Sequence, residues 1–131
     1  MDKTTLVKDD IDEGQKLVQH LDKTHFEVNS ALWFYATDLK EWRLVLASDY
    51  LKGHSLKDAY NYIQEELKNI NAVNIALDNI SIISNDDDLI KLLSHMIATG
   101  DKDISDIRLS RNVINGVMIE DALIYRITKK K

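Results

Sequence analysis

The sequence contains no cysteine and no proline. The first absence removes disulfides, thiolate zinc sites, iron–sulfur ligation and cysteine nucleophiles together, and it fits a reducing compartment. The second removes polyproline segments and any cis-proline step in folding. Glycine is scarce, at four residues. None of the four builds a Gly-x-Ser-x-Gly elbow, a phosphate-binding loop or a dinucleotide fingerprint. No run approaches the roughly 18 to 20 apolar residues of a membrane span. The stretch Met1-Asp2-Lys3-Thr4-Thr5 lacks the apolar core of a secretory signal. The expectation is a soluble, cytoplasmic protein with no membrane partner.

Positive charge is also in short supply. Lys and Arg number 17 against 22 Asp and Glu, a net charge of −5. A non-specific nucleic-acid binder carries a basic footprint, so nucleic acid is not an expected partner. The distribution is uneven: Arg108, Arg111 and Arg126 lie in the last quarter, ahead of Lys129-Lys130-Lys131. The lysine run reads as a solvated terminus.

What is present is an ordinary globular composition, 44% hydrophobic and 30% charged over 131 residues. The length suits one domain, 1–131. A chain of this size buries roughly two-thirds of the surface it exposes when unfolded, so it needs no disulfide or metal to fold.

Hydrophobic spacing divides the chain into elements. Val7, Ile11, Leu17, Val18 and Leu21 follow helical spacing and predict a helix over about 5–23, with Thr4 or Thr5 as cap. Gly14 lies on its apolar side, where close approach to a sheet would explain it. From Phe26 to Ala36 the period changes to two. A second strand, Trp42–Ala47, follows a loop of hairpin length, and both faces of this pair are apolar enough to be covered. Ser55 and Asp58 mark the start of a helix over 55–70. Residues 75–84 read as a third strand, with Asp78-Asn79 as a break. A third helix begins after Ser84 or Asn85, carries the stripe Leu89, Leu92, Leu93, Met96 and Ile97, and stops by Gly100. Residues 107–110 form a fourth strand. The final stretch, 112–127, is too long for one simple strand, and Asn115-Gly116 is a strong hairpin signal. The order α-β-β-α-β-α-β-β predicts an α+β two-layer sandwich with a largely antiparallel sheet and about three helices.

Candidate chemistry is thin. Asn85-Asp86-Asp87-Asp88 lacks the alternating ligands of a calcium loop and reads as a capped helix start. His20 and His25 are five apart, the wrong spacing for one helical face; with His54 and His95 they read as surface or boundary residues. Trp33, Tyr35 and Trp42 cluster on the first hairpin; core packing with cross-strand aromatic pairs is the first reading, and they are the candidate interface residues, with a ligand- or base-stacking platform as the third reading. Glu120 and Asp121 interrupt the apolar last strand, a local conflict of the kind that marks a turn or a site. Arg108, Glu120, Asp121 and Arg126 are candidate ligand-site residues, with a turn and a structural salt bridge as the alternative. In an unbroken strand Glu120 and Asp121 point to opposite faces, and Arg126 shares the face of Glu120.

No catalytic residue, cofactor or metal is expected. The reading is a non-enzymatic domain that acts through protein–protein contacts and self-associates. The alternative is a small ligand- or metal-binding protein or enzyme using the C-terminal acidic and arginine cluster.

Overall fold

Each change of hydrophobic period in the chain becomes a change of element. In the computed structural model residues 3–128 are described; Lys129, Lys130 and Lys131 lie outside them. Helix α1 spans Lys8–Leu21, strand β1 Ser30–Ala36, β2 Glu41–Ala47, helix α2 Leu56–Asn69, β3 Ile80–Ile83, α3 Asp88–Leu93, β4 Ile107–Ile114 and β5 Val117–Ile127. The class is α+β, with the element order read from the sequence.

The strands form one sheet in the order β3-β2-β1-β5-β4. All neighbours are antiparallel except β2 and β3, which pair in parallel. A parallel pair needs a crossover, and α2 supplies it. Alternation along the strands feeds two cores. Ala31 and Trp33 of β1, Leu44 and Leu46 of β2, and Leu123 of β5 face α1 and α2. Leu32, Val45, Ala122 and Ile124 face the other way, against Ile90, Leu93 and Ile97 in and after α3. Two helices therefore make the main layer on one side of the sheet, and the short α3 covers part of the other.

Helix α1 approaches the sheet closely at Gly14. A Cβ there would lie 2.5 Å from the Tyr125 hydroxyl and 2.9 Å from Trp33 Nε1. That hydroxyl donates to the Ile11 carbonyl at 2.6 Å and accepts from Trp33 Nε1 at 2.9 Å. Burial raises the Tyr125 phenol above its ordinary value, more than the Trp33 hydrogen bond lowers it.

The pairing of β1 with β5 slips by one residue between Ala31 and Leu32. Tyr125 and Arg126 then both reach toward α1. Arg126, fully buried, makes a bidentate pair with Asp22 at 2.8 and 2.9 Å, just past the end of α1. It also donates to the carbonyls of Val28 and Asp103.

Boundaries shift where side chains claim backbone groups. Helix α1 starts from Val7 rather than a threonine, and Asp10 takes both the Val7 N–H and the buried Lys3 ammonium. The segment 26–29 stays outside the sheet ladder; Ser48 Oγ donates to the Glu27 carbonyl, and the Tyr62 hydroxyl holds His25 N–H. Strand β3 is shortened by a 3-10 turn at Leu77–Asn79, where Asn79 caps the Ala76 N–H. Helix α3, capped by Asp87, ends at Leu93 rather than near Gly100; Ile90 is buried within it, while Met96, beyond its end, is exposed, so the apolar stripe differs from the one read in the sequence.

Candidate functional site

Asn115 and Gly116 both have positive φ, 50° and 80°, and join β4 to β5 in a two-residue turn. This is the conformation that Asn-Gly favours between antiparallel strands. It fixes the register: Ile114 faces Val117, Val113 faces Met118, and Ser110 faces Asp121.

Midway along this hairpin both strands change phase. Leu109 and Ile114 are five residues apart, and Ile119 and Ala122 three apart, yet all four enter the same core. Strict alternation would send one of each pair to the opposite face. On β4 the change occurs at Arg111, which has φ 54°. A left-handed non-glycine residue costs about 1–2 kcal/mol. The Asn112 side chain accepts the Ser110 N–H at 2.8 Å and holds this local conformation. Ser110 and Arg111 on β4 and Glu120 and Asp121 on β5 consequently line the same cleft, together with Thr4, Tyr35 and Trp42. The cleft holds about 350 Å³. The sequence reading that separates Glu120 from Asp121 is thereby corrected, because the strand is not regular between them.

Charges in and beside this cleft are unequally partnered. Arg108 makes a bidentate pair with Asp121 at 2.7 and 2.8 Å. Its guanidinium also lies 5.4 Å from the centre of the Trp42 ring, within cation–π range. The hydrogen bond to Asp121 raises the Arg108 pKa above its ordinary value, with a smaller contribution from Asp106. Glu120 lies 3.6 Å from Arg111 Nε, with side chains 41% and 78% exposed respectively. That is an ion pair rather than a hydrogen bond. Tyr35 packs edge-on against Trp42 with 5.6 Å between ring centres.

No protein-family model, curated protein or solved structure matches this chain.

The candidates read from the sequence divide clearly. Glu120 and Asp121 converge here, with Arg108 bound to Asp121 beside them, and Tyr35 and Trp42 form a wall of the same cleft. Arg126 does not join them; the slip in β5 turns it to Asp22 and a structural role. Trp33 is fully buried in the chain's own core, donating to Tyr125, and Trp42 is only 5% exposed. Neither presents an open ring to a partner. The histidines do not converge: His20 pairs with Glu66 at 3.0 Å, and His54 stacks on Tyr50 with 3.8 Å between ring centres. His25 and His95 are exposed. Among the described residues there is no group of three or more His, Asp or Glu placed to hold a metal ion. No helix among them is long and apolar enough to cross a membrane.

Ser110, Arg111, Val113 and Met118 are the site residues that sequence reading did not select. Val113 and Met118 face one another and are 61% and 53% exposed. Met118 and Glu120, two apart across the buried Ile119, share a face. The apolar pair is therefore continuous with the cleft. A larger groove, about 690 Å³, runs between α2 and residues 71–77; it is lined by Leu67, Ala72, Ile75 and Leu77 with Lys68 at its rim, and holds none of these candidates.

Proposed function

We propose that this protein is a non-enzymatic interaction domain whose contact surface is the free end of the β4–β5 hairpin. The single observation that supports the reading is the exposed, directly opposed pair Val113–Met118, beside a cleft of polar side chains turned to one face by a strained arginine. Local strain of this kind persists only where the surroundings impose it, and it concentrates at functional positions. Exposed methionine and aliphatic side chains with a polar rim are the composition of a contact patch. Strand β4 is also a sheet edge, but Arg108, Arg111 and the left-handed kink blunt it against continuous strand addition. Contact through side chains fits better than extension of the sheet.

A second copy of the chain is the simplest partner, because a self-complementary patch gives a two-fold dimer. Sedimentation velocity over a wide concentration range tests it on wild type and Met118→Lys. Reversible association lost in the variant supports the self-contact. A strict monomer removes the second copy as partner and narrows the reading to a foreign protein.

The acidic and arginine cluster also keeps a ligand-binding reading in view, since Glu120 and Asp121 share one cleft. A divalent metal is the weaker occupant. Arg108 already claims both oxygens of Asp121, and a metal centre calls for several converging carboxylates.

A further inference from the structure

We propose that the cleft between Glu120 and the Tyr35–Trp42 wall receives a cationic side chain, arginine or lysine, from an extended segment of a partner protein. The assignment rests on the protein-interaction reading and names the chemistry of the partner.

Three observations carry it. Beside the cleft one guanidinium is already held in this manner, since Arg108 lies over the Trp42 ring and grips Asp121 with two hydrogen bonds. Arg108 takes that ring face and that carboxylate; inside the cleft the half-buried Tyr35 and Glu120 repeat the pairing of an aromatic side chain with a carboxylate. Among the described residues the ion pair of the adjacent carboxylate, Glu120, is the 3.6 Å one with exposed Arg111. A pair of that kind is weak, so an incoming cation can replace it at little cost while Arg111 swings into solvent. The charge balance points the same way. Glu120 and Asp121 line the cleft against Arg111, Asp106 acts on the neighbouring Arg108, and the whole chain carries −5. Both favour a basic partner, in encounter and in register.

The geometry adds a spacing rule. Met118 and Glu120 project from the same face two residues apart, about 7 Å along the strand. An extended partner segment with an apolar residue two positions from its basic residue sets both on one side, one over Val113 and Met118 and the other in the cleft. A volume of about 350 Å³ suits a single long side chain.

The test is an amide chemical-shift titration of the whole protein with two terminally blocked peptides. One carries leucine and arginine two positions apart in a serine background. The other replaces arginine with citrulline, which keeps the shape and removes the charge. The expected result is saturable shifts over residues 112–121 and at the Trp42 indole, with the arginine peptide binding about tenfold more tightly, a preference that falls with added salt. Glu120→Gln, at a half-exposed position that should leave melting unchanged, should make the two peptides equal. Equal affinities on the wild type, or a preference that survives Glu120→Gln, would overturn the cation site. If both peptides bind the hairpin equally, the cation site falls and the interaction reading stands. If neither binds, the cation site falls, while Met118-dependent self-association still decides the interaction reading on its own. Competition by inorganic phosphate that tracks Arg111→Gln would assign the cleft to anions and overturn the proposal outright.

Discussion

Replacing Gly14 with alanine sets helix propensity directly against packing. In an exposed helix the change stabilises by about 1 kcal/mol. Here the new Cβ would meet the Tyr125 hydroxyl at 2.5 Å and Trp33 Nε1 at 2.9 Å, the first about an ångström inside ordinary contact. Neither neighbour is the loose end of a flexible chain. The hydroxyl is fixed by hydrogen bonds to Ile11 and Trp33, and moving it leaves buried polar groups unpaired at about 1–3 kcal/mol each. Overpacking a tight core costs about 1–3 kcal/mol. With the propensity gain set against these, Gly14→Ala should destabilise by about 1–3 kcal/mol. For a chain of this length that lowers Tm by several degrees, roughly 3 to 10 °C. Urea unfolding followed by tryptophan fluorescence measures the change, with the slope checked for two-state behaviour. Tyr125→Phe removes the atom in closest conflict. In that background Gly14→Ala should cost at least about 1 kcal/mol less, a coupling read from the double-mutant cycle. A Gly14→Ala protein more stable than wild type, or a cycle with no coupling, would refute the close approach of α1 to β5.

Other expectations follow from single sites. Arg126→Met should cost about 3–5 kcal/mol by leaving the largely buried Asp22 without its bidentate partner and with only the exposed Lys102 at 3.8 Å; the double variant Arg126→Met with Asp22→Leu should recover much of that loss, measured by the same unfolding assay. Gly116→Ala should cost about 1–2 kcal/mol through backbone strain alone, because nothing lies within 4 Å of the added Cβ. The raised Tyr125 phenol makes its stabilising contribution complete below the unfolded tyrosine pKa of about 10. That contribution is lost as pH rises toward the higher folded value, because only the unfolded chain can release the proton in that interval. Alkaline titration by ultraviolet absorbance should therefore show one of the five tyrosines ionising last, and that late step should be missing in Tyr125→Phe.

The fold was legible because its elements are locally consistent. The helical stripes of α1 and α2, the hairpin of β1 and β2, and the Asn115-Gly116 turn each carry their own signal. Gly14 announced the helix–sheet contact by its position alone. The site was only half legible. Glu120 and Asp121 stood out as charges in an apolar strand, and Arg108 as a partner for them. Two departures from strict alternation hid the rest. One, at Ala31/Leu32 against β5, moves Arg126 to the other side of the sheet; the other, at Arg111, sets Glu120 and Asp121 on one face. Neither leaves a glycine or proline in the sequence to mark it. The missed residues were nonetheless within reach: once Asn115-Gly116 is taken as a two-residue turn, Ser110 must face Asp121 and Val113 must face Met118. The tryptophans left more than one reading open for a different reason. A sheet covered on both faces takes its large aromatic side chains inward, and composition does not distinguish a covered face from an open one.

The most direct measurement of the central claim is a random-peptide display selection run in parallel on wild type and Met118→Lys. If the hairpin end is the contact surface, peptides enriched on the wild type should lose binding to the variant, and amide shifts from the bound peptides should map to residues 112–121. Enriched peptides that bind both proteins equally, or shifts centred on α1, α2 or the groove beside residues 71–77, would place the contact elsewhere and contradict the account.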